Sequence, residues 1–212
     1  MTEDDILDDV SEMLKIDAGN MLAATASSGA QIRSGLLAID ESKLAEVREW
    51  GKPRSVVITG VGGSGISGRI AQALAHVASS IPVVAVGGFS LPTWVGPSDV
   101  VIALSCSGST EETISGTLEA ARRGAQVIAI TSPGSKLDSV LDQIRNSITF
   151  PIDSQGRMPR ASMWTLLTPL LLIGDALGIF SVSAGQLQTV ADQIDEINLL
   201  VLLDFVKHQV SP

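Results

Sequence analysis

Five short aliphatic runs, "SVVITG", "PVVAVGG", "VVIALS", "QVIAITS" and "SITFPI", recur from residue 55 onward and constrain the fold more than any other feature of the chain. Each is a continuous apolar string without apolar–polar alternation, the pattern of a strand covered on both faces. Residues 66–79, 111–123 and 136–145 separate the runs and are helix-compatible. Strands interleaved with helices argue for an α/β fold with a five-stranded, parallel, doubly wound sheet. The link between the second and third runs, "FSLPTWVGPSD", holds two prolines and reads as loop. Hydrophobic residues make up 45%, aromatics only 3%, and there are 20 glycines, which suits small aliphatics packed under many tight turns.

Helical segments flank these runs. Residues 3–16 carry Ile6, Leu7, Val10, Met13 and Leu14 at helical spacing, with an acidic outer face. The passage "AATASSGAQ" is rich in small residues, and "LAEVREWGKP" reads as a short helix closed by Gly51 and Pro53. A long apolar helix begins near Ala161; its stretch at 166–180 is interrupted by Pro169 and Asp175. A last helical element changes character near Asn198, where polar spacing gives way to "LLVLLDFV". The apolar stretch 197–206 is too short to span a bilayer, and both stretches read as packed or interface helices. At 212 residues the chain divides into a helical segment 1–52, a sheet domain 53–160 and C-terminal helices 161–212.

The formal net charge of −9 argues against nucleic acid or an anionic membrane as a partner. The single cysteine, Cys106, forms no internal disulfide, and the acidic start "MTEDDILDD" is unlike a targeting signal, so a cytoplasmic location is expected.

Chemistry concentrates in two loops that follow strands. The first, "GVGGSG", has the spacing Gly60-x-Gly62-x-x-Gly65, and Ser64 adds a hydroxyl. The second, "SCSGSTEET", offers hydroxyl donors at Ser105, Ser107, Ser109 and Thr110. In a parallel sheet both fall at the carboxyl edge, where helix N-termini present free N–H groups to an anion. Two other readings compete. Tight strand–helix turns use glycine regardless, and Ser109 with Glu112, or Thr110 with Thr113, could simply cap the next helix. A dinucleotide would also require an acid at the end of the second strand, about twenty residues on. That strand ends "VVAVGGFSLP" without one, and the nearest acid, Asp99, lies beyond the proline-rich loop.

With these loops, the segments "LPTWVGPSDVVIALSCSGSTEET", "ARRGAQVIAITSPGSKL" and "GRMPRAS" resemble the sugar isomerase (SIS) domain of the bifunctional phosphoglucose/phosphomannose isomerase family. The passage "IDAGNMLAATASSGAQIRSGL" is similar to the actinobacterial-type branch, and the likeness extends over roughly residues 15–195. The resemblance implies a flavodoxin-like three-layer sandwich and a phosphorylated hexose as partner: glucose, mannose or fructose 6-phosphate. It also implies chemistry without metal or organic cofactor. Gly63 and Ser64 would meet the phosphate or sugar hydroxyls, and Ser105, Ser107 and Thr110 the phosphate oxygens. Arg160 would stabilise an enediolate, a task that suits an always-charged guanidinium. Arg160 could otherwise be a surface cation at a helix start. Cys106 stands where the family commonly has another residue and reads as a packing thiol.

The family's glutamate base and ring-opening histidine belong to a second SIS-like domain, in motifs resembling Asn-Glu-Asn and Asn-His-Asn-Glu that are absent here. His76 falls inside a crossover helix and His208 in the tail, while Glu111 and Glu112 would sit beside a phosphate of like charge. The 197–212 tail reads either as a truncated junction to that missing domain or as a native terminal helix. Its aliphatic stripe leads to the expectation of a homodimer. Two functions therefore stay open: a phosphosugar isomerase module without its catalytic half, and a non-catalytic sugar-phosphate-sensing module.

Overall fold

A computed structural model describes residues 9–210. Among the described residues four helices come first: α1 (Val10–Ile16), α2 (Met21–Ala26), α3 (Ser28–Ala38) and α4 (Glu41–Glu49). Asp9, in extended conformation, accepts from the amides of Ser11 and Glu12 and caps α1. The helix expected over 3–16 is thus found from Val10 onward, and residues 3–8 lie outside the described residues.

The alternating part follows as β1 (Ser55–Thr59), α5 (Gly62–Ala78), β2 (Val83–Val86), β3 (Asp99–Ser105), α6 (Glu111–Arg122), β4 (Gln126–Thr131), α7 (Lys136–Leu141) and β5 (Ser147–Pro151). The sheet order is β2-β1-β3-β4-β5 with every pairing parallel, as the five unalternating runs require. No helix forms between β2 and β3, where the two prolines lie. Register explains the runs. Ile58, Ile102, Ile128 and Ile148 pair across the sheet and face one layer. Their neighbours Val57, Val101 and Val127 pair likewise and face the other. Helix α5 and the later apolar helix Met163–Ala176 cover the isoleucine face, with α3 and α4 packed in the same cluster, and α6, α7 and the 87–98 loop cover the valine face.

A short 3-10 turn (Pro159–Ala161) leads into α8 (Met163–Ala176) and then α9 (Ala184–Val210). The long apolar helix expected near Ala161 is α8, which continues through Pro169. Every residue of α8 from 165 to 174 is buried. A mid-helix proline costs about 3 kcal/mol, whereas burying each Leu or Ile contributes roughly 1.5–3 kcal/mol. Packing wins. The small-residue passage has a related reason: a Cβ on Gly29 would lie 2.8 Å from the Ala191 carbonyl, so only glycine lets α3 and α9 approach this closely. Arg33 fastens the same two helices through Asp192 (2.7 Å) and Asp195 (2.6 Å).

At the amino edge of the sheet Asp99, fully buried at the start of β3, accepts from Arg54 Nε (2.9 Å), Ser55 Oγ (2.7 Å) and the Gly96 amide (2.8 Å). Burial alone would raise its pKa, but these hydrogen bonds and the charge of Arg54 together hold the carboxyl below its ordinary value.

Candidate functional site

Beyond the carboxyl ends of β1 and β3 the two motif loops meet, where the crossovers leave toward opposite faces of the sheet. Val61 occupies the N-cap of α5 and provides no side-chain cap, so no side chain satisfies the first-turn amides of Gly62, Gly63 and Ser64. Thr110 occupies the N-cap of α6, yet its hydroxyl does not cap either. Instead Thr110 Oγ1 shares a hydrogen bond with Ser105 Oγ (3.1 Å). The capping alternative for "STEET" is therefore not realised. By contrast α7, the third crossover helix, is closed by Ser135, which accepts from the Asp138 amide (3.3 Å). Of these three crossover helices, the two at the β1/β3 junction are the ones without a side-chain cap.

The serine loop is held largely by its own hydroxyls. Buried Ser105 Oγ accepts from the Gly108 amide (3.0 Å), while exposed Ser107 Oγ accepts from the amide (3.3 Å) and hydroxyl (3.1 Å) of Ser109. Ser105 shapes the loop; Ser107 faces outward from it. Gly108 has φ +62°, and a Cβ there would collide with Ser135 Oγ, so this position must be glycine for the β4–α7 loop to pack beneath. The Leu137 amide completes that packing by donating to the Gly108 carbonyl (2.8 Å).

Ser64 is buried in the first turn of α5, and its Oγ accepts from the Cys106 amide (3.4 Å), linking the glycine and serine loops. Gly63 meets a third segment: a Cβ on it would lie 2.5 Å from Arg160 N and 2.6 Å from Pro159 C. The turn that carries Arg160 is thus pressed against the N-terminus of α5. The Arg160 guanidinium itself is exposed; its Nη2 reaches Met158 Sδ (3.6 Å), and no described hydrogen bond joins it to Ser64, Ser105, Ser107 or Thr110. The structure brings together the loops and the backbone at Arg160, and leaves its guanidinium unengaged by them. Cys106 is 5% exposed, and burial pushes its thiol pKa up against the opposing effects of Ser64, Ser162 and Arg157. That environment suits a packing thiol.

Two supports escaped the sequence reading. Gln31, buried in α3, donates to the Ala161 carbonyl (2.9 Å) and accepts from Thr165 Oγ1 (3.1 Å), pinning the 3-10 turn from the opposite side. One glutamine in a run of small residues carries no local signal. The β4–α7 loop "TSPGSKL" repeats the strand–hydroxyl–glycine–helix pattern of the other two, and that pattern could have found Ser132 and Ser135. Ser132 Oγ donates to the Cys106 carbonyl.

The dinucleotide reading finds no anchor: Gly87 and Gly88 follow β2, and Asp99 is engaged at the opposite edge. Among the described residues no group of three or more His, Cys, Asp or Glu side chains is placed to hold a metal ion, and no helix is long and apolar enough to cross a membrane.

Residues 51–173 match the family model of the SIS domain. The chain is 42% identical over 132 residues to the bifunctional phosphoglucose/phosphomannose isomerase of Thermoplasma volcanium, covering 62% of this chain and 40% of that protein. It is 37% identical over 141 residues to the protein of the same description from Caldicellulosiruptor bescii, covering 66% and 39%. The chain spans about two fifths of the length of these curated relatives. Among solved structures, tagatose-6-phosphate ketose/aldose isomerase from Escherichia coli superposes with a TM-score of 0.63 at 22% identity, over 88% of this chain and 55% of that one. At that identity the likeness is one of fold.

Proposed function

The chain belongs to the SIS domain family, and we propose that its β1/β3 junction binds the phosphoryl group of a phosphorylated hexose of the glucose, mannose or fructose 6-phosphate class. One observation carries the reading: the two uncapped crossover helices, the serine loop and the turn bearing Arg160 converge on one place. The uncapped amides of α5 and α6 and the hydroxyls of Ser64, Ser107 and Thr110 provide donors for phosphoryl oxygens, with Ser105 shaping the loop. Gly63 keeps the Arg160 turn close to that anion. In an aldose–ketose isomerisation Arg160 would stabilise the enediolate oxygen. The carboxylates nearest the junction, Glu111 and Glu112, lie in the first turn of α6, where a bound phosphoryl would repel them. His76 is exposed far along α5, in a cleft with Ser79, Ser80 and Pro82 before β2. No described side chain is set to move the proton between the reacting carbons, so this chain alone is expected to bind hexose phosphate without turning it over.

Thermal unfolding with fructose 6-phosphate tests the reading. A ligand at about 100 times its Kd adds about 2.7 kcal/mol, and the double substitution Ser107→Ala, Thr110→Ala should remove the resulting rise in Tm. No rise with the unsubstituted chain overturns the proposal. Turnover of fructose 6-phosphate by the purified chain overturns the expectation of binding without catalysis.

A further inference from the structure

We propose that the cavity between α3, the end of β5 and α8 binds a compact organic ammonium ion, with its apolar body inside and its charged head at Asp153. The site arises from the way α3 lies on α8. At Gly35 the two helices touch: a Cβ there would lie 2.9 Å from Thr168 Cγ2. Beside that contact, against the segment that ends β5, the helices leave a cavity of about 170 Å³. A void of about 150 Å³ walled by apolar side chains takes up benzene, so this one has room for a body the size of one ring.

Floor and rim differ in chemistry. Phe150, Ile152 and Pro169 are buried and give the floor its apolar walls. Its two polar side chains, Gln31 and Thr165, are already engaged: Gln31 donates to the Ala161 carbonyl (2.9 Å), and Thr165 Oγ1 donates to Gln31 Oε1 (3.1 Å). The interior therefore favours apolar matter over hydrogen-bonding groups. Exposed Ser34, Ala38, Asp153 and Gln155 form the rim, and Asp153 is the one formal charge among the lining residues. Its carboxylate accepts from the Gln155 amide (2.7 Å) and forms no ion pair with a described cation. Arg157 lines the neighbouring cleft instead, donating to Gln155 Oε1 (2.7 Å) and Thr165 Oγ1 (3.3 Å). A positive charge behind Thr165 and an unpaired carboxylate at the rim set a direction across the cavity, and along it a cationic head belongs at the rim. An occupant would rest on the two side chains that hold the Arg160 turn, yet the cavity shares no residue with the glycine or serine loops. Its binding is read apart from that of hexose phosphate.

Benzylamine, benzyl alcohol and benzoate share a body and differ in the charge of the head. Each is titrated into the full chain at neutral pH and followed by backbone amide shifts and calorimetry. Benzylamine should give saturable shifts at Ser34, Ala38, Ile39 and residues 152–155, with a Kd of about 1 mM for so small a ligand. Benzyl alcohol should bind about tenfold more weakly, and benzoate more weakly still. Asp153→Asn should bring benzylamine to the affinity of the alcohol and leave the alcohol unchanged; asparagine still accepts from the Gln155 amide, so the segment keeps its shape. Ala38→Phe, which sets a ring in the rim, should abolish binding of both. Saturable shifts confined to another surface, no shifts, or undiminished binding by Ala38→Phe overturns the site. Equal affinity for amine and alcohol, or an Asp153→Asn chain that binds the amine as the natural chain does, overturns the cationic head and the proposal with it.

Discussion

Replacing Gly63 by alanine sets two effects of opposite sign against each other. Gly63 lies in the first turn of α5 and is not among the glycines with positive φ, so helix propensity alone predicts a gain of about 0.5–1 kcal/mol. The added methyl, however, would sit 2.5 Å from Arg160 N, 2.6 Å from Pro159 C and 2.8 Å from Arg160 Cα. All three are backbone atoms of a turn pinned on its far side by Gln31, so no flexible side chain can swing away. Ordinary contact requires the turn to retreat by roughly 1 Å, and overpacking of this kind costs typically about 1–3 kcal/mol. The contact term exceeds the propensity term, and a net loss of about 1–2 kcal/mol is expected. For a domain of this size that lowers Tm by roughly 2–8 °C. Hexose phosphate affinity should fall further than stability does, because the retreat carries Arg160 away from the uncapped amides of α5. Urea unfolding with calorimetric titration of fructose 6-phosphate reads both. A Gly63→Ala protein that is more stable than the natural chain and binds equally well refutes the packing of the turn on α5.

Asp99→Asn removes the buried carboxylate that Arg54, Ser55 and Gly96 stabilise. The Asp99 pKa is depressed in the fold, so its contribution is fully present above the ordinary value of 3.8 and is lost as pH falls through the lower folded value. Urea titrations should show a deficit of about 1–3 kcal/mol at neutral pH, shrinking below about pH 4; a deficit that does not change with pH contradicts this. Cys106, buried and with a raised thiol pKa, should react with an aromatic disulfide reagent only as the chain unfolds, and rapid labelling of the native protein contradicts the packing role. Gln31→Leu strands the Ala161 carbonyl and the Thr165 hydroxyl, and should cost about 1–3 kcal/mol together with weaker hexose phosphate binding; unchanged binding removes Gln31 as a support of the turn. Association of two copies is read by light scattering, where about twice 22.0 kDa is expected and 22.0 kDa overturns it.

The sheet was legible because its strands are buried on both faces, which leaves unalternating runs such as "VVIALS" that few other elements produce. Edge strands blur the signal, as in half-buried β2, yet its flanking glycines still mark it. The long apolar helix near Ala161 was legible from its unbroken hydrophobicity, and burial outweighs the hydrogen bond that Pro169 removes within it. Within the site, the hydroxyl-rich loop was visible as composition, but which hydroxyls build the loop and which face outward was not. Ser105 and Ser107 look alike in sequence and differ only through Gly108 and Thr110. Contacts that bring distant segments together left no trace: Gly63 against Arg160 and Gln31 against Ala161 are packing relations between segments far apart in sequence.

Backbone amide shifts on titration of fructose 6-phosphate test the central claim most directly. The largest shifts are expected at Gly62, Gly63 and Ser64 of α5 and at residues 107–111 around the N-terminus of α6, saturating together. Saturating shifts confined to another surface, such as the cavity lined by Ser34, Ile39 and Asp153, or no shifts at all, would contradict it.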